Sequence, residues 1–403
     1  MISVEEALAR TTEAFSPLPG EEVSLEKALG RVLAEDACAA VSHPPANVSA
    51  MDGYAVRAKD VAQVPVSLSV MGEAPAGGAY KGEVTPGQAV RIFTGGTVPQ
   101  GADTIIIQEN TERNGETVMV VKRARDGTYI RRQGMDFKTG EVGLKAGRRL
   151  APRDISFAAA MNLSHLTVRR KPSIAILSTG DELILPGKTP GPNRIPSSNG
   201  PALVAFVDSC GGNPVDLGIA PDDEKALAAL AAGAKDSDLL VTSGGVSVGD
   251  HDIVCDALGR HGLKVNFWGV AMRPGKPLLF GHFSGVPFLG FPGNPVATLV
   301  CATVYLRPAI DAMLGVCDGT VEEISARLAC NLDANDERQC YLRAHLSTDR
   351  EGNMTATPLP KQDSAMISVL SQANGLLVRP PNAQAVKVGE CVTVIPLAGR
   401  HAG

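Results

Sequence analysis

Between residues 172 and 314, short apolar runs alternate with segments of helical spacing, and this alternation constrains the fold more than any other feature of the chain. The runs are Ser173–Ser178, Pro214–Ile219, Leu239–Thr242, Lys264–Trp268 and Val286–Phe291. The helical segments between and after them cover 199–210, 223–233, 252–260 and 295–313. Gly211-Gly212 and Gly262 follow two of these segments, where a residue without Cβ ends a helix at little steric cost. Strand and helix in alternation predict a mainly parallel sheet covered by helices on both faces, a three-layer α/β domain. Ligands of such sheets lie at the carboxyl ends of the strands.

The flanking texture is different. Residues 1–15 read as an amphipathic helix with Val4, Ala7 and Leu8 on one side, and Val23 to Leu33 as a second short helix. From about 40 to 145, the runs Val64–Val70, Ala89–Phe93, Thr104–Gln108 and Val118–Val121 are separated by Gly/Pro turns, which predicts an all-β domain. Helix returns at 150–163. From about 318 to 397 a second small β domain is expected, ending at Val392–Ile395. A chain of 403 residues has room for two to four domains.

The net charge of −5 argues against a nucleic-acid coat or a membrane-surface protein, so an anion site must be built locally. Met1 to Arg10 carries Glu5 and Glu6 and has no apolar core of a secretory signal. No apolar run reaches the roughly 20 residues of a membrane span. The most apolar stretch, Val286 to Leu306, is broken by Pro292-Gly293-Asn294-Pro295. These features predict a cytoplasmic protein with neither a nucleic-acid nor a membrane partner. The eight cysteines include no Cys-x-x-Cys pair and are expected to be reduced thiols. The seven histidines show no zinc-type spacing.

Chemistry concentrates in loops of the α/β region. Ser243-Gly244-Gly245-Val246-Ser247-Val248-Gly249-Asp250-His251-Asp252 joins an apolar run to a helical segment. Glycines and serines at such a turn let backbone amides approach an anion, and Asp250 and Asp252 suit a hard cation beside it. Four more loops share the region: Ser178-Thr179-Gly180-Asp181-Glu182, Pro196-Ser197-Ser198-Asn199-Gly200, Met272-Arg273-Pro274-Gly275-Lys276-Pro277 and Phe291-Pro292-Gly293-Asn294-Pro295. Together they offer helix starts, hydroxyls, two cations and several carboxylates. That combination points to a phosphorylated ligand bound with a metal such as Mg²⁺. Each piece also has a plain reading: Asn199 as a helix N-cap, Asp181 or Glu182 as helix-start acids, Pro-Gly-Asn-Pro as a turn. Their occurrence together at one sheet edge favours a site.

The β region has its own outliers. Asn47 to Val56 places an Asp52-Gly53 turn between apolar residues, which alone reads as a hairpin. Arg91 to Pro99 contains Thr94-Gly95-Gly96, and Tyr129 to Asp136 sets the basic pair Arg131-Arg132 near an acid.

In this order, Ser49–Val56, Ile92–Pro99, Arg131–Asp136, Ser178–Leu183, Ser243–Asp252, Pro274–Pro277 and Pro292–Val296 resemble the MoeA family of molybdopterin molybdenumtransferases, which includes the C-terminal domain of gephyrin. The likeness covers about residues 1–397. The strings Ser-Ala-Met-Asp-Gly-Tyr-Ala and Ser-Gly-Gly-Val-Ser-Val-Gly are the most specific, and the C-terminal domain matches least clearly. The resemblance implies an elongated multidomain chain with an extended helix/linker domain I (20–45 with 137–168) and a β domain II (46–136). It further implies a MogA-like molybdopterin-binding α/β domain III (1–19 with 169–316) and a C-terminal β-barrel-like domain IV (317–403). It implies a homodimer whose cleft is shared between the α/β domain of one subunit and the β domains of the other. The implied enzyme takes adenylylated molybdopterin and molybdate with Mg²⁺ or a similar divalent cation, releases AMP and yields molybdenum cofactor. Partners are then the adenylyltransferase upstream and maturation proteins of molybdoenzymes downstream.

Carried over by position, the resemblance gives Asp52, Glu182, Asp222, Asp252 and Lys276 catalytic places, and Glu182, Asp250 and Asp252 the metal. Binding places fall to Thr94, Arg131 and Asp136 in the β domain. In the α/β domain they fall to Ser178, Thr179, Gly180, Asp181, Ser243, Gly244, Gly245, Ser247, Gly249, Arg273, Gly275, Pro292, Gly293, Asn294 and Pro295. Arg343 and Ser364 are the C-terminal domain's contribution. Two departures stand out: Gly269 follows Trp268 where the family often carries Lys, and Arg273 stands where Lys is frequent. Two other readings remain open, an ATP-dependent molybdopterin adenylyltransferase and a gephyrin-like scaffold. The β domains with their own acid-bearing turn favour the later, molybdate-inserting step.

Overall fold

The structure, a computed structural model, describes residues 1–246, 253–317 and 322–397. It divides into two units: Met1–Glu21 with Gly30–Ala34 and Val168–Gly403, and Glu22–Leu29 with Glu35–Thr167.

The first unit contains the expected parallel sheet. Its strand order is Asn213–Ala220, Ser173–Thr179, Leu239–Ser243, Val286–Phe291, Leu279–Phe283, Leu263–Trp268. The first four run parallel; the last two form antiparallel pairs at the edge. Successive side chains of a strand point to opposite faces, and Ser173–Thr179 obeys this. Ile174 and Ile176 pack with Leu203, Val207, Val296 and Val300 in one core, while Ala175 and Leu177 pack with Leu227, Ala231 and Leu258 in another. Helices Asn199–Ser209 and Pro295–Cys301 thus cover one face, and Glu224–Ala231 and Ile253–Arg260 the other. Each fully buried Leu or Ile in these layers contributes about 1.5–3 kcal/mol over an exposed one.

Two sequence expectations are corrected. Leu279–Phe283, which is missing from the expected strands, is a strand. A Cβ at Gly281 would stand 2.3 Å from the Lys264 carbonyl oxygen, so glycine there permits the close approach of the neighbouring strand. The segment from Val23 to Leu33 is not a helix of that length: Gly20–Ser24 is a strand, one helical turn covers Leu25–Ala28, and Gly30 at φ +74° turns the chain away. The expectation that no uninterrupted apolar run is long enough to span a membrane stands, because Arg307 and Asp311 interrupt the longest apolar helix. Helix runs unbroken over Pro295–Leu314, 20 residues apolar enough to cross a membrane, yet 83% of its apolar window is buried inside the fold. Its residues Val296, Val300, Tyr305 and Ile310 belong to the sheet-facing core, which accounts for the composition.

The C-terminal strands close on themselves. Gln339–Thr348 pairs with both Met354–Pro358 and Gly375–Arg379, and the ring continues through Cys391–Pro396 and Ile324–Leu328. This is a five-stranded barrel with Ala326, Leu328, Ala344, Ala356, Leu377 and Val394 inside, and closure leaves few unpaired edges. Met272–Arg273 adds a short parallel pairing to Gln339–Cys340.

In the second unit six strands form one sheet in the order Thr104–Ile107, Gly53–Val56, Gln88–Ile92, Val66–Ala74, Thr117–Val120, Thr111–Asn114. This is the predicted all-β region, and helix Pro152–Ala160 matches the expected return to helix.

Candidate functional site

Four parallel strands end side by side, because their register pairs Thr179 with Ala220, Ser178 with Ser243 and Ser243 with Phe291. The loops leaving them therefore start from one edge. The chain passes from Ser173–Thr179 to a strand on one side of it and then to Leu239–Ser243 on the other, which opens a crevice at a topological switch point. A cavity of about 790 Å³ lies there. Among the residues with expected roles it collects Ser178, Thr179, Gly180, Glu182, Asp222, Ser243, Gly244, Gly245, Pro292, Gly293, Asn294 and Pro295. Asp181 sits beside it: its amide donates to Asp222 Oδ2 and the Asp222 amide donates to Asp181 Oδ1, both at 3.2 Å. The expected Ser247, Gly249, Asp250 and Asp252 lie outside the described residues.

The loops are fastened to one another. Asn199 is the first residue of its helix, with Ser198 at the N-cap, so its side chain is not the cap. Instead Asn199 Nδ2 donates to Ser243 Oγ and to the Gly293 carbonyl, both at 2.8 Å. Asn294 caps helix Pro295–Cys301 only through its backbone, and its Nδ2 donates to Ser364 Oγ at 3.0 Å. Gly244 adopts φ +101°, and a Cβ there would stand 2.5 Å from the Thr179 carbonyl oxygen and 2.7 Å from its Oγ1. That Thr179 hydroxyl is buried and has no hydrogen-bond partner among the described residues.

Asn199, Ser197, Ser198, Leu183, Ile195 and Pro277 also line the cavity, and sequence reasoning gave them no site role. Ser197, Ser198, Asn199 and Pro277 had a findable signal, since they stand in loops already marked for chemistry. Ala365 and Ile367 reach the wall from the C-terminal region with no local motif to mark them.

Other expected residues take different places. Gly275 is buried against Met272 and Cys301, where a Cβ would come within 2.7 Å of the Met272 methyl carbon and 2.8 Å of Cys301 Sγ. Lys276 is exposed beside cavity-lining Pro277. Arg273 points to the barrel, where Nη1 donates to Asp336 Oδ2 at 3.2 Å. Arg338 shares that carboxylate at 2.6 Å and, ahead of Arg273, holds Asp336 below the usual carboxylate range. Arg343 is fully buried in the barrel wall and donates from Nη2 to the Lys361 carbonyl at 3.1 Å; it does not reach the cavity. Ser364 stands at the rim through its bond to Asn294.

The second unit has a separate acidic turn. Thr94 donates to Asp52 Oδ1 from its amide at 2.7 Å and from its hydroxyl at 2.8 Å. These two bonds, the amide foremost, hold the Asp52 carboxyl below the usual range, with a smaller contribution from the charge of Arg91. Arg91 lies over the rings of Tyr54 and Phe93 at 5.2 and 4.9 Å, and Nη1 donates to the Gly53 carbonyl at 3.2 Å. Arg131 is exposed on a two-residue strand that pairs with Val48–Ser49, just before this turn. Asp136 is exposed, and its amide donates to the His43 carbonyl at 3.0 Å.

Among the described residues no group of three or more His, Cys, Asp or Glu side chains is placed to hold a metal. Two of the three expected ligands, Asp250 and Asp252, are not described. Glu182 and Asp222 line the cavity with carboxylates, and the lining residue Thr179 has a buried, unpartnered hydroxyl; these oxygen donors suit a hard divalent cation.

Three family models match successive parts of the chain. They are the MoeA N-terminal region (domain I and II) over residues 2–162, the probable molybdopterin binding domain over 175–312 and the MoeA C-terminal region (domain IV) over 325–397. A molybdopterin molybdenumtransferase from Nostoc is 35% identical over 94% of this chain and 88% of its own length. Molybdopterin molybdenumtransferase 2 from Mycobacterium tuberculosis is 36% identical over 96% and 98%. The crystal structure of a molybdopterin biosynthesis MoeA protein from Pyrococcus horikoshii covers 99% of this chain with all of its own, at a TM-score of 0.86 and 32% identity. With relatives of this identity along nearly its whole length, and with the motif-bearing loops gathered at one switch-point cavity, the chain belongs to the MoeA family of molybdopterin molybdenumtransferases.

Proposed function

We propose that the chain inserts molybdate into adenylylated molybdopterin, releasing AMP and leaving molybdenum cofactor. The observation that carries this reading is the cavity itself, where glycine-rich turns and a helix start face the carboxylates of Glu182 and Asp222. Backbone amides and the helix start suit phosphate oxygens, and the carboxylates suit the cation that accompanies them. Mg²⁺ or a similar divalent ion would be held by Glu182 with Asp250 and Asp252; when bound, it supplies neutralising charge on the phosphate oxygens of the bond to AMP. Thr179, Ser243 and Gly244 orient the nucleotide end, and Lys276 stabilises charge on the leaving phosphate. Asp52, with one oxygen fixed by Thr94, keeps its second oxygen for substrate.

The reading extends to a homodimer in which Asp52, Thr94, Arg131 and Asp136 of one subunit complete the cleft of the other. Arg273 and Ser364 are assigned to binding at the barrel side, whereas the fully buried Arg343 is given a structural place in the barrel wall. The four-domain division, cytoplasmic location and exchange with the adenylyltransferase and molybdoenzyme maturation proteins belong to the same proposal.

The test is turnover by the purified chain given adenylylated molybdopterin, molybdate and Mg²⁺. AMP release matched by molybdenum retained on the pterin, and abolished by chelation, is expected. ATP consumption with molybdopterin in the absence of molybdate would instead establish the adenylylation reading.

A further inference from the structure

A second cavity, about 500 Å³, adjoins the first on the far side of the loop that follows Gly180. Gly180 and Leu183 line both, so one loop is the partition between two chambers. The loop is a closed excursion. Leu183–Ile184 pairs in parallel with Ile195–Pro196, and the Ile195 and Ser197 amides donate to the Glu182 and Ile184 carbonyls at 2.8 Å. Its ends are therefore fixed while its body projects.

The two chambers have different chemistry. The first is walled by glycine turns, hydroxyls and carboxylates. The second is walled by Leu183, Leu185, Ile219 and Pro221, and its charged lining is Lys188, Arg194 and Asp181. Neither cation has a side-chain hydrogen bond or ion pair to another described residue, and Leu185 is 57% exposed. Two cations against the single carboxylate of Asp181, whose Oδ1 already accepts from the Asp222 amide, leave a positive balance around an apolar hollow, and that suits an anion carried on an apolar body.

The floor is shaped for the purpose. Strand Asn213–Ala220 carries an extra residue opposite Ile176–Ser178, a bulge at Leu217-Gly218 that re-aims Ile219. Gly218 sits at φ +85° with open space where its Cβ would be. At the partition, a Cβ on Gly180 would stand 2.5 Å from Glu182 Oε2, so any larger residue there would displace the carboxylate that faces the first chamber.

We propose that the second chamber seats the pterin–dithiolate end of the substrate, its flat heterocycle on Leu185 and Ile219 and its anionic sulfurs toward Lys188 and Arg194. This rests on the function proposed above, which supplies a substrate with two chemically distinct ends. The nucleotide end then occupies the first chamber, and the Glu182–Ser197 loop spans the junction.

The test is equilibrium binding by the full chain, which needs no turnover. Calorimetry with molybdopterin and, separately, with AMP is compared for the native chain, the K188A/R194A variant and the Leu185→Asp variant. At least 10-fold weaker molybdopterin binding in both variants, with AMP affinity within 2-fold of native, is expected. The charge-conserving K188R/R194K variant should recover most of the affinity. Unchanged molybdopterin binding overturns the assignment, as does selective loss of AMP, which would place the nucleotide here instead. Equal loss of both ligands also overturns it, because the cations would then serve the domain rather than this chamber. A native chain that binds molybdopterin through Lys188 and Arg194 yet releases no AMP with molybdate would refute the proposed reaction and leave the chamber standing.

Discussion

Thr94 makes two hydrogen bonds to a single oxygen of Asp52, one from its amide and one from its hydroxyl, at 2.7 and 2.8 Å. The carboxylate is thereby fixed in direction as well as in charge, and both bonds fall on the same oxygen. Gly53, next in the chain, crosses the neighbouring strand so closely that a Cβ would stand 1.9 Å from the Ile106 carbonyl oxygen. The acid therefore directly precedes a strand position that only glycine can occupy without displacing backbone.

The hydroxyl bond can be removed without the amide bond. In Thr94→Val, the Asp52 pKa should rise toward the ordinary carboxylate value but not reach it, because the amide is the larger cause of its depression. The sign follows from linkage: a depressed carboxylate stabilises the native state above its unfolded pKa, and this is lost as pH falls through the lower native value. In the variant the loss should begin at higher pH. Carboxyl-carbon NMR titration of Asp52 reads the shift, and an unmoved titration would contradict the assignment.

Gly53→Ala has no low-cost solution, since the clash is with backbone rather than with a flexible side chain. A destabilisation of about 3 kcal/mol is expected for this sheet, typical of a forced backbone displacement. Amides of Gly53–Val56 and Thr104–Ile107 should lose hydrogen-exchange protection, while those of Ser173–Thr179 in the other unit keep theirs.

Asn199→Ala removes both bonds that tie the helix start to Ser243 and Gly293. At about 0.5–1.5 kcal/mol for each bond, a loss of roughly 1–3 kcal/mol is expected in urea unfolding of the first unit. AMP affinity should fall with it, because the loops that would hold phosphate are no longer registered. Wild-type AMP affinity in this variant would show that the bridge is dispensable.

Glu182→Gln keeps the shape of the side chain and removes its charge. Under the proposed function, the Mg²⁺ concentration for half-maximal AMP release should rise about 10–100-fold, the usual cost of disturbing a metal shell. AMP binding measured without metal should change little. A variant with an unaltered Mg²⁺ dependence would take Glu182 out of the metal site.

Much of the site was legible because it is built from short stretches. The Ser178–Glu182, Ser243–Gly245 and Pro292–Pro295 strings each carry their own turn chemistry, and the alternation around them places all three at strand ends. Asn199 was visible as a polar residue at a helix start, but its partners are 44 and 94 residues away in sequence. Nothing near Arg273 announces Asp336, 63 residues on, and nothing near Arg343 announces its complete burial.

The sequence by itself determined the alternating α/β region, the loops that bear its chemistry and the family to which they point, because these depend on periodicity and on residues adjacent in the chain. Only the tertiary structure decided that Leu279–Phe283 completes the sheet, that Gln339–Thr348 closes a barrel and that one loop separates two chambers. Those outcomes rest on strand register and close backbone approach between distant segments. Gly281 against Lys264 is the plainest instance: the neighbouring strand comes so close that a Cβ would stand 2.3 Å from the Lys264 carbonyl oxygen, a requirement set by a segment 17 residues away.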